Sequence, residues 1–349
     1  MVPRRRSSAT SAIVPAMPRL TTSSRLVLLL VLAALGTACS AAGASPIVST
    51  GPSGAPEPCR EAPPPAQSSI PDWSPGSQDP TVVPVVVSSG LSIACGPNRF
   101  MFSFLDEANT PVAAPDRTAS VAFYDLAADP ETPVASADGT FLWGIEGTVG
   151  IYVVSASFAS AGLWGAEFTT TPAGGSPETI RLQFEVHREP LVVSVGDPAP
   201  ASDTPTLADV GGDVAMLSTD KDPVERFYET SIADAITAKE PFIVVFATPK
   251  FCASAQCGPT LDRVKPVAAA NPDLTVINVE PYQLEAVEGQ LQPVLTDGGL
   301  TLVQAARDWK LLSEPWIFVV DGDGIVAASF EGIVSETELQ AAVDQVTGD

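Results

Sequence analysis

Residues 241–261 read PFIVVFATPKFCASAQCGPTL, an apolar run that delivers two cysteines to the start of a helix. Phe242–Phe246 has the β-branched and aromatic content of a buried strand. Gly258 and Pro259 then place a proline where a first helical turn tolerates it. Cys252 and Cys257 therefore flank a strand-to-helix loop. Free backbone N–H groups and the helix dipole at such an end favour the thiolate, the form of cysteine that attacks disulfides and binds metals.

Outward from this loop, an alternating pattern occupies the C-terminal part after a turn-rich join at 191–212. It predicts a strand near 214–217, a helix at 231–238, the strand at 242–247, a helix at 258–270 and a strand at 274–279. A helix near 302–311, strands at 316–320 and 325–330 and a last helix at 336–346 complete it. The final helix is announced by a capping box, Ser335 with Glu338, and by the staple spacing of Val334 and Leu339.

Residues 81–190 read instead as short strands between turn residues, at 82–87, 100–105, 120–124, 141–143, 151–158, 163–169 and 180–186, the pattern of an all-β sandwich. Tyr152, Val154, Ala156 and Phe158 alternate with Val153, Ser155 and Ser157. The stretch from Gly150 through Trp164 resembles the penultimate hairpin of small immunoglobulin-like extracytoplasmic domains. That resemblance implies core positions for Tyr152, as a corner tie, and for Trp164. The lone histidine, His187, follows the last strand and reads as an exposed residue. Without a second histidine, Ser-His-Asp machinery around the cysteine loop and zinc sites built on several histidines are excluded.

The N-terminal 38 residues carry arginines at 4, 5, 6, 19 and 25, no acid, and an unbroken apolar run at 26–35. This is a secretory signal pattern, too short for the roughly 20 residues of a spanning helix. Cys39 after Gly36-Thr37-Ala38 resembles the cleavage-and-lipidation box of bacterial lipoproteins, although the leucine stands one place further off than usual. The resemblance implies an extracytoplasmic protein anchored by lipid on Cys39; plain cleavage and secretion is the alternative. Residues 39–80 are rich in Pro, Ser, Gly and Ala and read as a disordered stalk. Setting Cys39 aside leaves four of the five cysteines, and on parity alone Cys59 and Cys95 pair as a structural disulfide.

The formal charge is −23; without the five signal arginines, 13 basic residues face 41 acids, giving −28. Such a surface repels phosphate backbones, and no basic patch or phosphate-cradling loop is present, so nucleic acid is excluded as a partner and no cofactor is called for.

The order of C-terminal elements, with the strand FIVVFA, Cys257-Gly258-Pro259, Pro315 before a strand and the later Gly332, is similar to the thioredoxin fold over residues 213–348. The resemblance implies that Pro315 is the cis-proline beside the active-site cysteines and that protein thiols or disulfides are the substrates. The whole chain then reads as an all-β immunoglobulin-like sandwich followed by an α/β thioredoxin-like domain. Four residues separate the cysteines, in place of the two of thioredoxins. Counting from the strand favours Cys252 as nucleophile and the local Cys-Gly-Pro favours Cys257, so the assignment stays open. The loop also looks like that of the Sco copper-handling family, but that family's distant histidine has no counterpart. The Pro-x3-Thr-x2-Cys arrangement of peroxiredoxins is absent. Lys250 is the nearest cation, with an exposed side chain as the plain reading and thiolate stabilisation as the functional one.

The expected activity is thiol–disulfide exchange through Cys252 and Cys257. The first alternative is a protein-binding module with a structural Cys252–Cys257 bridge. The second is Cu(I) held by the two soft thiolates, with no third ligand evident in the sequence.

Overall fold

The structure is a computed structural model that describes residues 59–61, 72–73, 80–90 and 92–348. The signal segment, Cys39 and most of the stalk read from 39–80 lie outside the described residues. The fold is mostly β. Strands β1 (Arg60–Glu61), β2 (Val82–Val86), β3 (Gly96–Asp106), β4 (Thr118–Asp125), β5 (Ala135–Asp138), β6 (Thr140–Ile145), β7 (Val149–Phe158), β8 (Ser160–Thr171) and β9 (Glu178–Val186) form two packed sheets. One has the order β2-β3-β7-β6; in the other, β8 pairs with β4 and β9, β4 continues to β5, and β1 joins the first residues of β8 in parallel.

Strand alternation explains this packing. Phe100, Phe102 and Phe104 of β3 share one face and meet Phe123, Phe158, Trp164 and Phe168 between the sheets. Tyr152 is buried there, its hydroxyl donating to the Arg117 carbonyl at 2.8 Å, and Trp164 Nε1 donates to the Ser160 carbonyl at 2.9 Å. Both fill the core as expected. The opposite face of the same strands is buried too: Met101, Ile151 and Val153 pack on Ile333 from the far end of the chain.

The stalk reading needs correction where the chain is described. Cys59 is bonded to Cys95, Arg60 and Glu61 pair with Ser160 and Ala161, and Trp73 is 2% exposed against Tyr124 and Leu126. A Cβ at Gly165 would collide with the Trp73 ring, so a glycine is required there. A proline-rich composition does not prevent one large aromatic from docking once a pocket is formed for it.

Residues 191–212 are likewise more than a join. Val192, Val193 and Ala199 are buried, and Gly196 and Ala199 donate backbone N–H groups to Val326 and Gly324. The C-terminal elements are α1 (Ile232–Ala238), β10 (Phe242–Phe246), α2 (Cys257–Ala270), β11 (Thr275–Val279), β12 (Leu284–Val287), β13 (Gln290–Pro293), β14 (Leu295–Thr296), β15 (Gly299–Leu300), α3 (Gln304–Asp308), β16 (Trp316–Val320), β17 (Val326–Glu331) and α4 (Glu336–Thr347). A four-stranded sheet of order β11-β10-β16-β17 is parallel at β10–β11 and antiparallel elsewhere. Ile243, Val245, Ile317 and Val319 face a core shared with α2 and α4, while Phe242, Val244, Phe246 and Phe318 face one shared with α1 and α3.

Two expectations fail in this part. The strand near 214–217 is a short 3₁₀ turn, Val214–Met216, because the Asp213 side chain accepts the Ala215 N–H and closes a turn. The helix near 302–311 is confined to Gln304–Asp308; buried Trp309 caps it, and Lys310, at φ 55°, ends it. The short hairpins β12–β13 and β14–β15 were not foreseen.

The sandwich and the C-terminal sheet are joined by polar contacts as well as by Ile333. Arg99 Nε donates to Glu338 Oε1 at 2.9 Å and its Nη2 to the Ile333 carbonyl at 2.9 Å. Glu331 accepts from the Ser89 N–H and the Ser92 hydroxyl, each at 2.9 Å. Burial raises the Glu331 carboxyl above its ordinary range despite these donors and the nearby Arg99.

Candidate functional site

Strand β10, buried throughout, ends at Phe246, and the chain turns through Thr248 to bring Cys252 half-buried to the surface. Phe251 donates its N–H to the Thr248 carbonyl, and Ala255, at φ 58°, completes the reversal into α2. Cys257 is the first residue of that helix and is fully buried. Pro259 lies within the first turn, where its missing N–H has no intrahelical partner to lose. The two cysteines form a disulfide with Cα atoms 6.0 Å apart. Cys252 Sγ also accepts the Cys257 N–H at 3.2 Å and lies 3.4 Å from the Ser254 hydroxyl. The first N–H of α2 therefore points at the half-buried sulfur, as the strand-to-helix reading requires.

Glu314 is the residue that sequence reasoning missed. It precedes Pro315, the peptide bond between them is cis, and it is 8% exposed. Its Oε1 accepts the Ala253 N–H at 2.8 Å, its Oε2 the Tyr282 hydroxyl at 2.5 Å, and its carbonyl the Ser254 hydroxyl at 3.2 Å. The sulfurs of Cys252 and Cys257 and a Glu314 oxygen all lie within 4.8 Å of one another. Burial first, and then the adjacent carboxylate, raise the Tyr282 phenol above its ordinary range, so it remains the donor. The Glu-Pro step before a buried strand was the available signal: an acid at a strand entry needs partners.

Gln256 reaches the other way. Its side chain lies where a Cβ on Gly332 (3.0 Å from Oε1) or on Gly144 of β6 (3.5 Å from Nε2) would point, so the sandwich borders the cysteine loop. Pro315 is held from behind, its carbonyl accepting the Gly332 N–H at 2.9 Å. Lys250 is turned aside: Nζ donates to the Leu291 carbonyl at 3.0 Å. His187 is remote from this loop in its contacts, its backbone pairing with Ile93 and Cys95. Cys59 and Cys95 form the second disulfide, Cα atoms 5.7 Å apart.

As a metal centre, the cluster offers two thiolates and one hard carboxylate oxygen once reduced. That oxygen adds nothing to a Cu(I) site, which prefers soft ligands. No family model matches this chain, and no curated protein matches it by sequence.

Proposed function

We propose that this protein is an extracytoplasmic thiol–disulfide oxidoreductase, tethered by lipid on Cys39, with a thioredoxin-like C-terminal part and an immunoglobulin-like sandwich before it. The observation that carries the reading is the asymmetry of the pair: Cys252 is half-buried and Cys257 fully buried at the start of α2. Exchange needs one sulfur that a partner can reach and a second that waits inside. In the reducing direction the Cys252 thiolate attacks a partner disulfide, forming a mixed disulfide and releasing one partner thiolate. The Cys257 thiolate then attacks Cys252 Sγ and releases the second, leaving the protein oxidised and the partner reduced by two electrons. The order β10, α2, β11, then the β16–β17 hairpin and α4, with the Glu314–Pro315 step against the cysteine loop, supports the thioredoxin-like reading.

A second reading keeps the bridge permanent and the module a binding one; the two hydrogen bonds from the loop to Glu314 favour it. Changing Cys252 and Cys257 singly to alanine separates them. In the proposed mechanism Cys252→Ala abolishes insulin-disulfide reduction, while Cys257→Ala accumulates a trapped mixed disulfide. If the wild type neither reduces insulin nor oxidises a dithiol peptide, the proposal fails.

A further inference from the structure

A cavity of about 370 Å³ opens beside β11 and the start of α3, on residues separate from the disulfide. Its size lies within the range of small-molecule sites, about 300–1,000 Å³. Leu217, Val279, Val294 and Val303 give it apolar walls, into which Asn278 and Glu280 bring buried polar groups, 4% and 8% exposed. Asn278 Nδ2 donates to the Tyr228 hydroxyl at 2.8 Å, which donates to Ser218 Oγ at 2.7 Å. This chain leaves Asn278 Oδ1 without a donor.

Glu280 Oε1 accepts the Thr219 N–H and hydroxyl at 2.6 and 2.7 Å. The Thr248 hydroxyl faces the same carboxyl, yet neither it nor Oε2 makes a hydrogen bond of full geometry. Two buried acceptors thus share one cavity, a costly arrangement that a donor-rich ligand relieves. Asp203 adds a third acid at the exposed side, and among the described lining residues there is no Lys, Arg or His.

We propose that this cavity is a binding site for a small primary amine, its ammonium donating to Asn278 Oδ1 and Glu280 and its short apolar body lying along Val279 and Val303. An ammonium carries three donors and a positive charge; an alcohol brings one donor and no charge, and a carboxylate is repelled. The proposal stands apart from exchange at Cys252.

The test uses calorimetric titration of the full-length oxidised protein, at about 150 mM salt to suppress diffuse attraction to the acidic surface, with n-hexylammonium, n-hexanol and hexanoate. The expected result is one saturable hexylammonium site, at least about tenfold tighter than hexanol, with no heat from hexanoate. Glu280→Gln and Val303→Trp should each weaken hexylammonium at least about tenfold while leaving insulin-disulfide reduction unchanged. Methyl resonances of Leu217, Val279 and Val303 should shift on titration of the wild type, a readout independent of whether either variant folds. Equal affinity for hexanol, affinity insensitive to both folded variants, or unmoved methyl resonances would overturn the proposal.

Discussion

The Glu314 carboxylate accepts the Ala253 N–H at 2.8 Å, placing a carboxylate against the loop between Cys252 and Cys257. A carboxylate this close to two sulfurs disfavours a thiolate on either, opposing the N–H that α2 offers to Cys252. Glu314→Gln keeps an acceptor for Ala253 and removes the charge. Its reduced form should alkylate at neutral pH about three- to tenfold faster than the wild type, and its potential should become less negative because the reduced state is stabilised. Iodoacetamide trapping with mass spectrometry reads the rate; an unchanged rate means the carboxylate does not govern the pair.

The Arg99–Glu338 pair joins the sandwich to α4 with both side chains under a tenth exposed, and Glu338 also closes the capping box with Ser335. Removing one partner strands a buried charge, so Glu338→Ala should cost about 3–5 kcal/mol, with the lost cap adding about 1. Arg99→Met with Glu338→Leu should recover much of that loss, since a buried pair replaced by apolar groups is often neutral. Urea unfolding of the three proteins decides; equal losses in single and double variants would contradict this view of the junction.

Much of this architecture is legible in the chain because it is written locally. The strands β10 and β16 are unbroken apolar runs, and α4 is spelled out by Ser335, Glu338 and the buried staple Val334–Leu339. The sandwich strands show themselves by alternation, which is why Tyr152 and Val154 separate from Ile151 and Val153. What was hidden is long-range. Glu314 meets Ala253 and Tyr282 only after the sheet forms, and Met101 turns out buried on both sides because Ile333 covers it. The hairpins β12–β13 and β14–β15 are too short and exposed to leave a periodic signal.

Trp73 provides a check on the segment read as a stalk. Its ring lies edge-on to Tyr124 at 4.8 Å and under the Arg181 guanidinium at 5.0 Å. Trp73→Ala should destabilise the protein by about 3–5 kcal/mol, whereas a substitution in an unstructured stalk would cost nothing measurable. Thermal unfolding of the pair of proteins distinguishes the two.

Burial pushes the Glu280 carboxyl above its ordinary 4.5, against the hydrogen bonds from Thr219. Between that value and the raised one the folded state holds more protons than the unfolded, so stability falls as pH rises through this window. Glu280→Gln removes that fall. Its unfolding free energy, followed from pH 4 upward, should decline less than that of the wild type, and a parallel decline would mean that Glu280 ionises freely.

The most direct measurement is the reduction potential of Cys252–Cys257 in the full-length protein, equilibrated against glutathione and dithiothreitol with thiol trapping. The exchange mechanism predicts a value between about −120 and −270 mV, with Cys252 the first sulfur to appear in a mixed disulfide. A value below about −300 mV would contradict it and make the bridge a permanent staple.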